Sequence, residues 1–404
     1  MKFLLISNGH GEDAIGARLA RELLALEPSF DLEALPIVGR GEPYDRAGVR
    51  VIGPRWAPPS GGFTFTQLEW FLADWRDGMR AKTHAQHWAA RRARPDVVLV
   101  VGDVYALWVT FSFAFKEARP VVYQVQPLVS RYYQDGLTRQ QRLERASRVM
   151  VDSFTGIERW FMRRVRRVYT RDARSAAWLH ELGVPHAVHL GNVMMDLLEP
   201  ELDLSPVLDG RPVLALLPGT RDDHRYSLPK MLEVTALLTE VQTLAAFTGD
   251  HSRVALPTGW SWTAPTALET DASATVVAVH DNGARVPLLR GAFAALLHRS
   301  SVALGTAGTA NEQAVGLGVP VVAFPTLGPQ YTLNFAQAQA RLLGAALRLE
   351  TADPPTLAAA VRAGLEDEPW RTVTRAVGLE RMGAAGAARR IAAAMADDLN
   401  ARPD

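Results

Sequence analysis

A chain of 404 residues is too long for one average domain and comfortable for two. Apolar residues make up 48% and charged residues 22%, as in an ordinary globular enzyme, and the formal net charge of +1 lacks the basic excess of a nucleic-acid-binding protein. With no cysteine, disulfides, thiolate metal ligands and thiol nucleophiles are excluded.

The opening MKFLLIS is too short for a secretory segment and runs at once into Asn8-Gly9-His10-Gly11-Glu12-Asp13. No apolar run is long enough to cross a bilayer, so the expected location is cytoplasmic, with peripheral contact to the inner membrane face as an open option. Lys2–Ser7 is a buried strand by pattern. Residues 12–26 carry Ile15, Leu19, Leu23 and Leu26 as a helical stripe. Further strands are expected at 32–38, 49–52, Val97–Val101, Val121–Val125, 148–151 and 187–190, with helices at 139–146 and 172–182. Such alternation predicts a parallel sheet covered on both faces.

Residues 199–212 hold three prolines and a glycine among acidic residues, a linker composition. A second series follows. It has strand Val213–Leu217, helix 228–242, strands 244–247 and 274–278, helix 286–297, strand 302–304, helix 311–316 and strand 319–324. Residues 54–65 are expected to form a mobile Gly/Pro loop, and 251–266, with Trp260 and Trp262, an excursion over the second sheet. The tail 370–399 has a helical pattern. The expected fold class is α/β, with two tandem Rossmann-like doubly wound domains facing a central cleft. Their expected limits are 1–198 and 199–370, with a helical tail 371–404 packing back on the first.

In open α/β sheets ligands bind beyond the carboxyl ends of the strands, and four motifs fall there. The first is Asn8–Asp13. Its glycines permit close backbone approach, and the spacing does not match a dinucleotide fingerprint. His10, Glu12 and Asp13 place three titratable groups in one turn, as catalytic candidates; the structural alternative is Asp13 capping its helix. The second is Gly102-Asp103, a carboxylate able to take a proton or to cap the helix after it. The third is Gly219-Thr220-Arg221, which can offer amide, hydroxyl and guanidinium donors to a phosphate, or be a plain strand–helix turn. The fourth runs from Gly305 to Gln313. There the helix amides at Gly308, Thr309, Ala310 and Asn311 suit a diphosphate, and Glu312 suits two ribose hydroxyls; a capped helix is the alternative. Gln330 and Asn334, at helical spacing, suit sugar hydroxyls.

At these residues the chain resembles the GT-B glycosyltransferases, most closely the lipid-A-disaccharide synthase group (glycosyltransferase family 19). The resemblance runs through Asn8–Asp13, Pro95-Asp96 with Asp103, Gly191-Asn192, 216–221 and 305–312. The segment Gly308 to Ala314 with Gly318-Val319-Pro320 is also similar to the donor site of nucleotide-sugar 2-epimerases and of the peptidoglycan N-acetylglucosaminyl transferase. The resemblance implies a UDP-sugar co-substrate held by the second half through Gly219, Thr220, Arg221, Glu312 and Gln313. It implies an acceptor in the first half, where Asn8, Gly9, Gly11, Gln126 and Asn192 are the candidates. It implies inverting transfer with no metal and no cofactor. The first loop is nearer the glycine–histidine loops of other GT-B enzymes, and the Gly308 to Glu312 spacing nearer the epimerases.

His10 and Asp103 compete for the role of base, or act as a pair with Asp103 orienting His10. The acceptor is expected to be a lipid or glycolipid if the apolar side chains Phe63, Phe65, Leu68, Trp70, Phe71 and Trp75 and the basic run Arg163, Arg164, Arg166 and Arg167 rest on a membrane. A core-packed helix and a solvated charged face are the alternatives. A UDP-sugar epimerase or hydrolase and a non-catalytic nucleotide-sugar-binding protein are the competing functions. The oligomeric state is not legible.

Overall fold

The computed structural model describes residues 1–59, 68–112, 119–146, 153–219 and 222–401. The chain divides into two compact units, Met1–Leu197 with Ala384–Asp404, and Leu198–Gly383.

The first unit is built on seven strands: β1 (Lys2–Ser7), β2 (Asp31–Pro36), β3 (Arg50–Val51), β4 (Val97–Val101), β5 (Val121–Val125), β6 (Arg167–Tyr169) and β7 (Ala187–Val188). They pair in parallel in the order β3-β2-β1-β4-β5-β6-β7. Both faces are covered, which is why the strands read as unbroken apolar runs. Phe3 and Leu5 join one apolar layer with Ile15, Leu19 and Leu23 of the helix His10–Leu26, and with Ile391 and Met395. Leu4 and Ile6 point the other way and join Leu107, Met162 and Leu179. The helix Ala387–Asn400 belongs to this unit, and Asp398 anchors it. That carboxylate accepts from Tyr123 Oη at 2.6 Å, Arg166 Nε at 2.8 Å and Arg167 Nη2 at 3.1 Å. Burial opposes ionisation of Asp398, but the two arginines and Tyr123 win and hold it down at about 2.

The second unit has eight strands: β8 (Val213–Leu217), β9 (Gln242–Ala246), β10 (Trp260–Thr263), β11 (Ala274–His280), β12 (Arg285–Leu289), β13 (Ser300–Gly305), β14 (Val321–Ala323) and β15 (Leu347–Leu349). Their order is β10-β11-β12-β9-β8-β13-β14-β15. The expected helix over 286–297 is instead β12 followed by the helix Phe293–Arg299. The turn Asp281-Asn282-Gly283 decides this. Gly283 takes φ 91°, Asn282 Oδ1 accepts from the Ala284 amide at 2.9 Å, and β11 returns antiparallel as β12. The tryptophan segment is the edge strand β10, paired with β11, not an excursion over the sheet. The helix expected at 228–242 is His224–Thr235. Residues 148–151, expected as a strand, lie outside the described residues. Among the described residues no helix is long and apolar enough to cross a membrane.

The sheet order turns back between β1 and β4 in the first unit and between β8 and β13 in the second. These switch points open crevices at the carboxyl ends of those strands. In the second unit the helix beside the crevice, Gly308–Gly316, is backed by the helix Glu368–Arg381 through Gly378, where a methyl group would stand 2.1 Å from the Val315 carbonyl oxygen. Gly378→Ala is therefore expected to push the two helices apart and cost roughly 2–4 kcal/mol, read as a lowered thermal midpoint. An unchanged midpoint would show that this contact does not hold the helix in place.

Candidate functional site

In the first unit, Asn8 follows β1 and Asp103 follows β4, and the two meet. Asn8 Nδ2 donates to Asp103 Oδ1 at 2.8 Å, and the same oxygen accepts from the Tyr105 amide at 3.0 Å. Asp103 thus both clamps the β1 loop and caps the helix Val104–Ser112. Gly102, at φ 114°, is required here: a methyl group would lie 2.5 Å from Asn8 Oδ1 and 3.2 Å from Glu12 Cγ. Burial pushes the Asp103 carboxyl above the usual range, against the bonds from Tyr105 and Asn8.

The helix after β1 begins at His10, with Gly9 as N-cap and no side-chain cap, so Asp13 does not cap it. Asp13 is instead wholly buried, accepting from Ser7 Oγ at 2.6 Å, while Tyr44 Oη donates to Ser7 Oγ at 3.0 Å. Burial carries the Asp13 carboxyl up to about 7, the charge of Glu12 adds to this, and the bonds from Ser7 and the Gly41 amide oppose it. His10 is exposed on the first turn. A methyl group on Gly39 (φ 108°) would stand 3.2 Å from Asp13 Oδ2 and 3.5 Å from His10 Nδ1. Gly39 thus packs against both Asp13 and His10. Asp103 is held by Asn8 and Tyr105, and no hydrogen bond joins it to His10 among the described residues. Glu12 folds back over Gly9, and Gly11 is open, with no steric need for glycine.

Gln126 and Asn192 also come together, in the same unit. Gln126 sits at φ 55°, donates from Nε2 to Asn192 Oδ1 and accepts the Val193 amide at 3.0 Å. Both are buried, so their bonds hold the turn after β5 to the segment after β7. Sequence reasoning missed Glu158. It is buried on the helix Gly156–Met162, and burial followed by the charge of Asp103 lifts its carboxyl to about 8. Thr155 and Glu158 show only as a helix start, which carries no sign of a buried acid.

In the second unit, the loops after β8 and β13 lie side by side. The Thr306 amide donates to the Leu217 carbonyl at 3.0 Å, and a methyl group on Gly219 (φ 86°) would lie 3.7 Å from the Thr306 oxygen. Thr220 and Arg221 lie outside the described residues. The helix Gly308–Gly316 has Ala307 as N-cap and no side-chain cap, so the capped alternative fails and its first amides face outward at Gly308, Thr309 and Ala310. Thr306 Oγ1, beside them, is buried without a hydrogen-bond partner.

Asn311, expected to touch the donor, is instead wholly buried. Its Nδ2 donates to the Gly305 carbonyl at 3.2 Å and to Gln339 Oε1 at 2.8 Å; Gln339 in turn donates to the Gly308 carbonyl at 2.7 Å. It fastens the helix to Leu333–Leu343. Glu312 and Gln313 are mostly covered, and Glu312 lies within electrostatic reach of the Tyr331 hydroxyl, whose ionisation burial and that charge oppose. Gln330 and Asn334 are not on one helix, because Thr332 caps Leu333–Leu343. Gln330 precedes that cap and donates its amide to Asp223 Oδ1 at 3.1 Å, whereas Asn334 is exposed in the first turn. Asp223, absent from the sequence reading, also accepts the Tyr331 amide at 3.0 Å and so joins the β8 loop to the 326–331 loop. A cavity of about 550 Å³ opens by Asp222 and His224, with Arg253 and Arg290 among its walls.

Among the described residues no group of three or more His, Asp or Glu side chains is arranged to hold a metal ion. The arginine run is not one free cationic face. Arg166 and Arg167 pair with Asp398, Arg163 donates to the Leu182 and Gly183 carbonyls, and Arg164 stacks 3.4 Å over Trp160. Phe63 and Phe65 lie outside the described residues, as do the side chains of Leu68 and Trp70; Phe71 is half-buried and Trp75 exposed.

No protein-family model matches the sequence. No curated protein matches it either. Solved structures do match over the whole chain. The S. aureus MnaA–UDP structure superposes with a TM-score of 0.61 at 14% identity, covering 100% of this chain and 98% of the other. The calicheamicin glycosyltransferase CalG4 gives 0.59 at 15% identity over 99% and 97%. The UDP-GlcNAc 2-epimerase from Neisseria meningitidis bound to UDP-GlcNAc gives 0.57 at 13% identity, over 100% of both chains. The chain thus has the GT-B fold, with two Rossmann-like sheets.

The Asp13 shift has a stability consequence. Its folded pKa lies above the ordinary 3.8, so the penalty of a buried charge is absent below about pH 4 and complete above about pH 7. Asp13→Asn, which can still accept from Ser7, is expected to unfold at a higher temperature than the parent at pH 8, by the equivalent of roughly 2–4 kcal/mol, and to converge with it near pH 4. A gap of equal size at both pH values would contradict the assignment.

Proposed function

We propose that the protein binds a UDP-sugar in its second unit and transfers the sugar, with inversion, to an acceptor hydroxyl. The observation that carries this reading is the uncapped helix start at Gly308 beside the unpartnered Thr306 hydroxyl and the Gly219 turn. Amides at a helix amino terminus favour a diphosphate, and Thr306 adds a hydroxyl donor. Glu312, with Gln313 beside it, is assigned to the ribose, Thr220 and Arg221 to the phosphates, and Asn334 and Gln330 to the sugar.

In this reading His10 takes the proton of the acceptor hydroxyl as that oxygen bonds to the anomeric carbon. The bond from this carbon to the phosphate oxygen breaks, and its electron pair leaves with UDP. One displacement inverts the anomeric centre. The growing charge on the leaving group is met by the amides of Gly308, Thr309 and Ala310. The reaction is written without metal or cofactor. Asp103 holds the loop through Asn8. Two of the fold relatives, MnaA and the Neisseria meningitidis epimerase, are solved with UDP or UDP-GlcNAc, which supports this donor.

A second reading, UDP-sugar epimerisation, is favoured by one observation: Asp13 and Glu158 hold protons near neutral pH, close to Glu12 and Asp103 respectively. Such acids suit the removal and return of a proton on a sugar carbon. Incubation with UDP-N-acetylglucosamine alone separates the readings. Transfer predicts an unchanged donor until an acceptor is added; an epimer or free sugar without acceptor establishes the second. His10→Ala is expected to lower product formation by about 100-fold or more while UDP affinity by calorimetry stays within about twofold. Full turnover in this variant would remove the first unit's loop from the chemistry.

A further inference from the structure

The first unit carries an aromatic groove that the donor chemistry does not use. A cavity of about 560 Å³ lies along the helices Leu68–Arg76, Met79–Ala93 and Val104–Ser112. Its walls include Trp75, Trp88, Tyr105 and Trp108, and the cations Arg80 and Arg91. The three tryptophans are 50%, 47% and 44% exposed, an unusual cost for a side chain that normally drives core packing. Tyr105 and Trp108 stack at 5.8 Å, and the Arg91 guanidinium lies 5.6 Å from the centre of the Trp88 ring. Neither Arg80 nor Arg91 forms an ion pair among the described residues. Tyr105 also donates its amide to Asp103, so the groove begins at the carboxyl end of β4.

Flat apolar walls call for a flat apolar ligand, and two uncompensated cations call for a negative group on it. We propose that this groove seats the acceptor, and that the acceptor is an aromatic, ring-bearing molecule carrying an acidic group. The volume fits a body of drug-like size. The guanidinium groups favour an acidic ring system over a neutral or cationic one. The assignment of this ligand as acceptor rests on the transfer reading above; the existence of the site does not.

The test uses two fluorescent probes of one shape: 8-anilinonaphthalene-1-sulfonate, and the uncharged N-phenyl-1-naphthylamine. Binding is followed by energy transfer from tryptophan, and UDP affinity is measured on the same samples. The sulfonate is expected to bind at one site at least about tenfold more tightly than the neutral probe. Arg80→Gln and Arg91→Gln should erase that preference while leaving the neutral probe unchanged, and Trp108→Ala should weaken both. Equal affinity for the two probes, or arginine variants that bind like the parent, overturns the proposal. So does sedimentation with phosphatidylglycerol vesicles that the same arginine substitutions abolish, since that makes the patch a membrane contact. Unchanged melting curves for the arginine variants keep folding out of the result. Probe binding without UDP binding would leave the groove standing and sink the transfer reading; UDP binding with no response of the arginine variants would do the reverse.

Discussion

Two parallel strands, β8 and β13, lie next to each other at the point where the strand order of the second sheet turns back. That adjacency forces the Gly219 turn and the start of the helix Gly308–Gly316 to share one edge. A helix start there needs either a side-chain cap or an outside acceptor for its first amides, and Ala307 supplies no cap. The donor assignment follows from this single unmet requirement more than from any one side chain.

The surroundings keep that edge in place. Asn311, Gln339 and Tyr331 form a buried network, with Tyr331 Oη donating to Gln339 Oε1 at 2.6 Å. Asp223 ties the β8 loop to the 326–331 loop through two amides. Ser227 Oγ donates to the Pro218 carbonyl at 2.9 Å and fixes the turn to its helix. The pattern is a rigid frame of buried polar bonds around a few outward-facing donors. Such preorganisation spares the site the cost of ordering itself when charge develops. The first unit repeats the arrangement with acids: Asp103 is held by Asn8, and Asp13 by Ser7, while His10 stays exposed.

Much of the fold was legible because buried parallel strands read as unbroken apolar runs, as in Val97–Val101 and Val213–Leu217, and because glycines mark the ends of those strands. The hairpin of β11 and β12 was not. Val286, Leu288 and Leu289 fit a helix as well as a strand, and only the Asn282-Gly283 turn decides between them. In the site, the loops at Asn8 and Gly305 were legible as segments, but the division of labour within them was not. Asn311, Gln126 and Asn192 have polar side chains in the right segments and spend them on one another or on the backbone. Whether an amide faces a ligand or a neighbouring helix depends on contacts between residues far apart in sequence, such as Asn311 with Gln339. The same holds for Glu158 near Asp103.

Hydrogen–deuterium exchange of the whole chain, with and without saturating UDP, tests the central claim most directly. The account predicts slowed exchange at the amides of 306–311 and in the segment just after Leu217, with the edge strands β10 and β11 unchanged. Protection confined to other segments, or none at a UDP concentration where calorimetry shows saturation, would contradict it, as would a failure of UDP to bind at all.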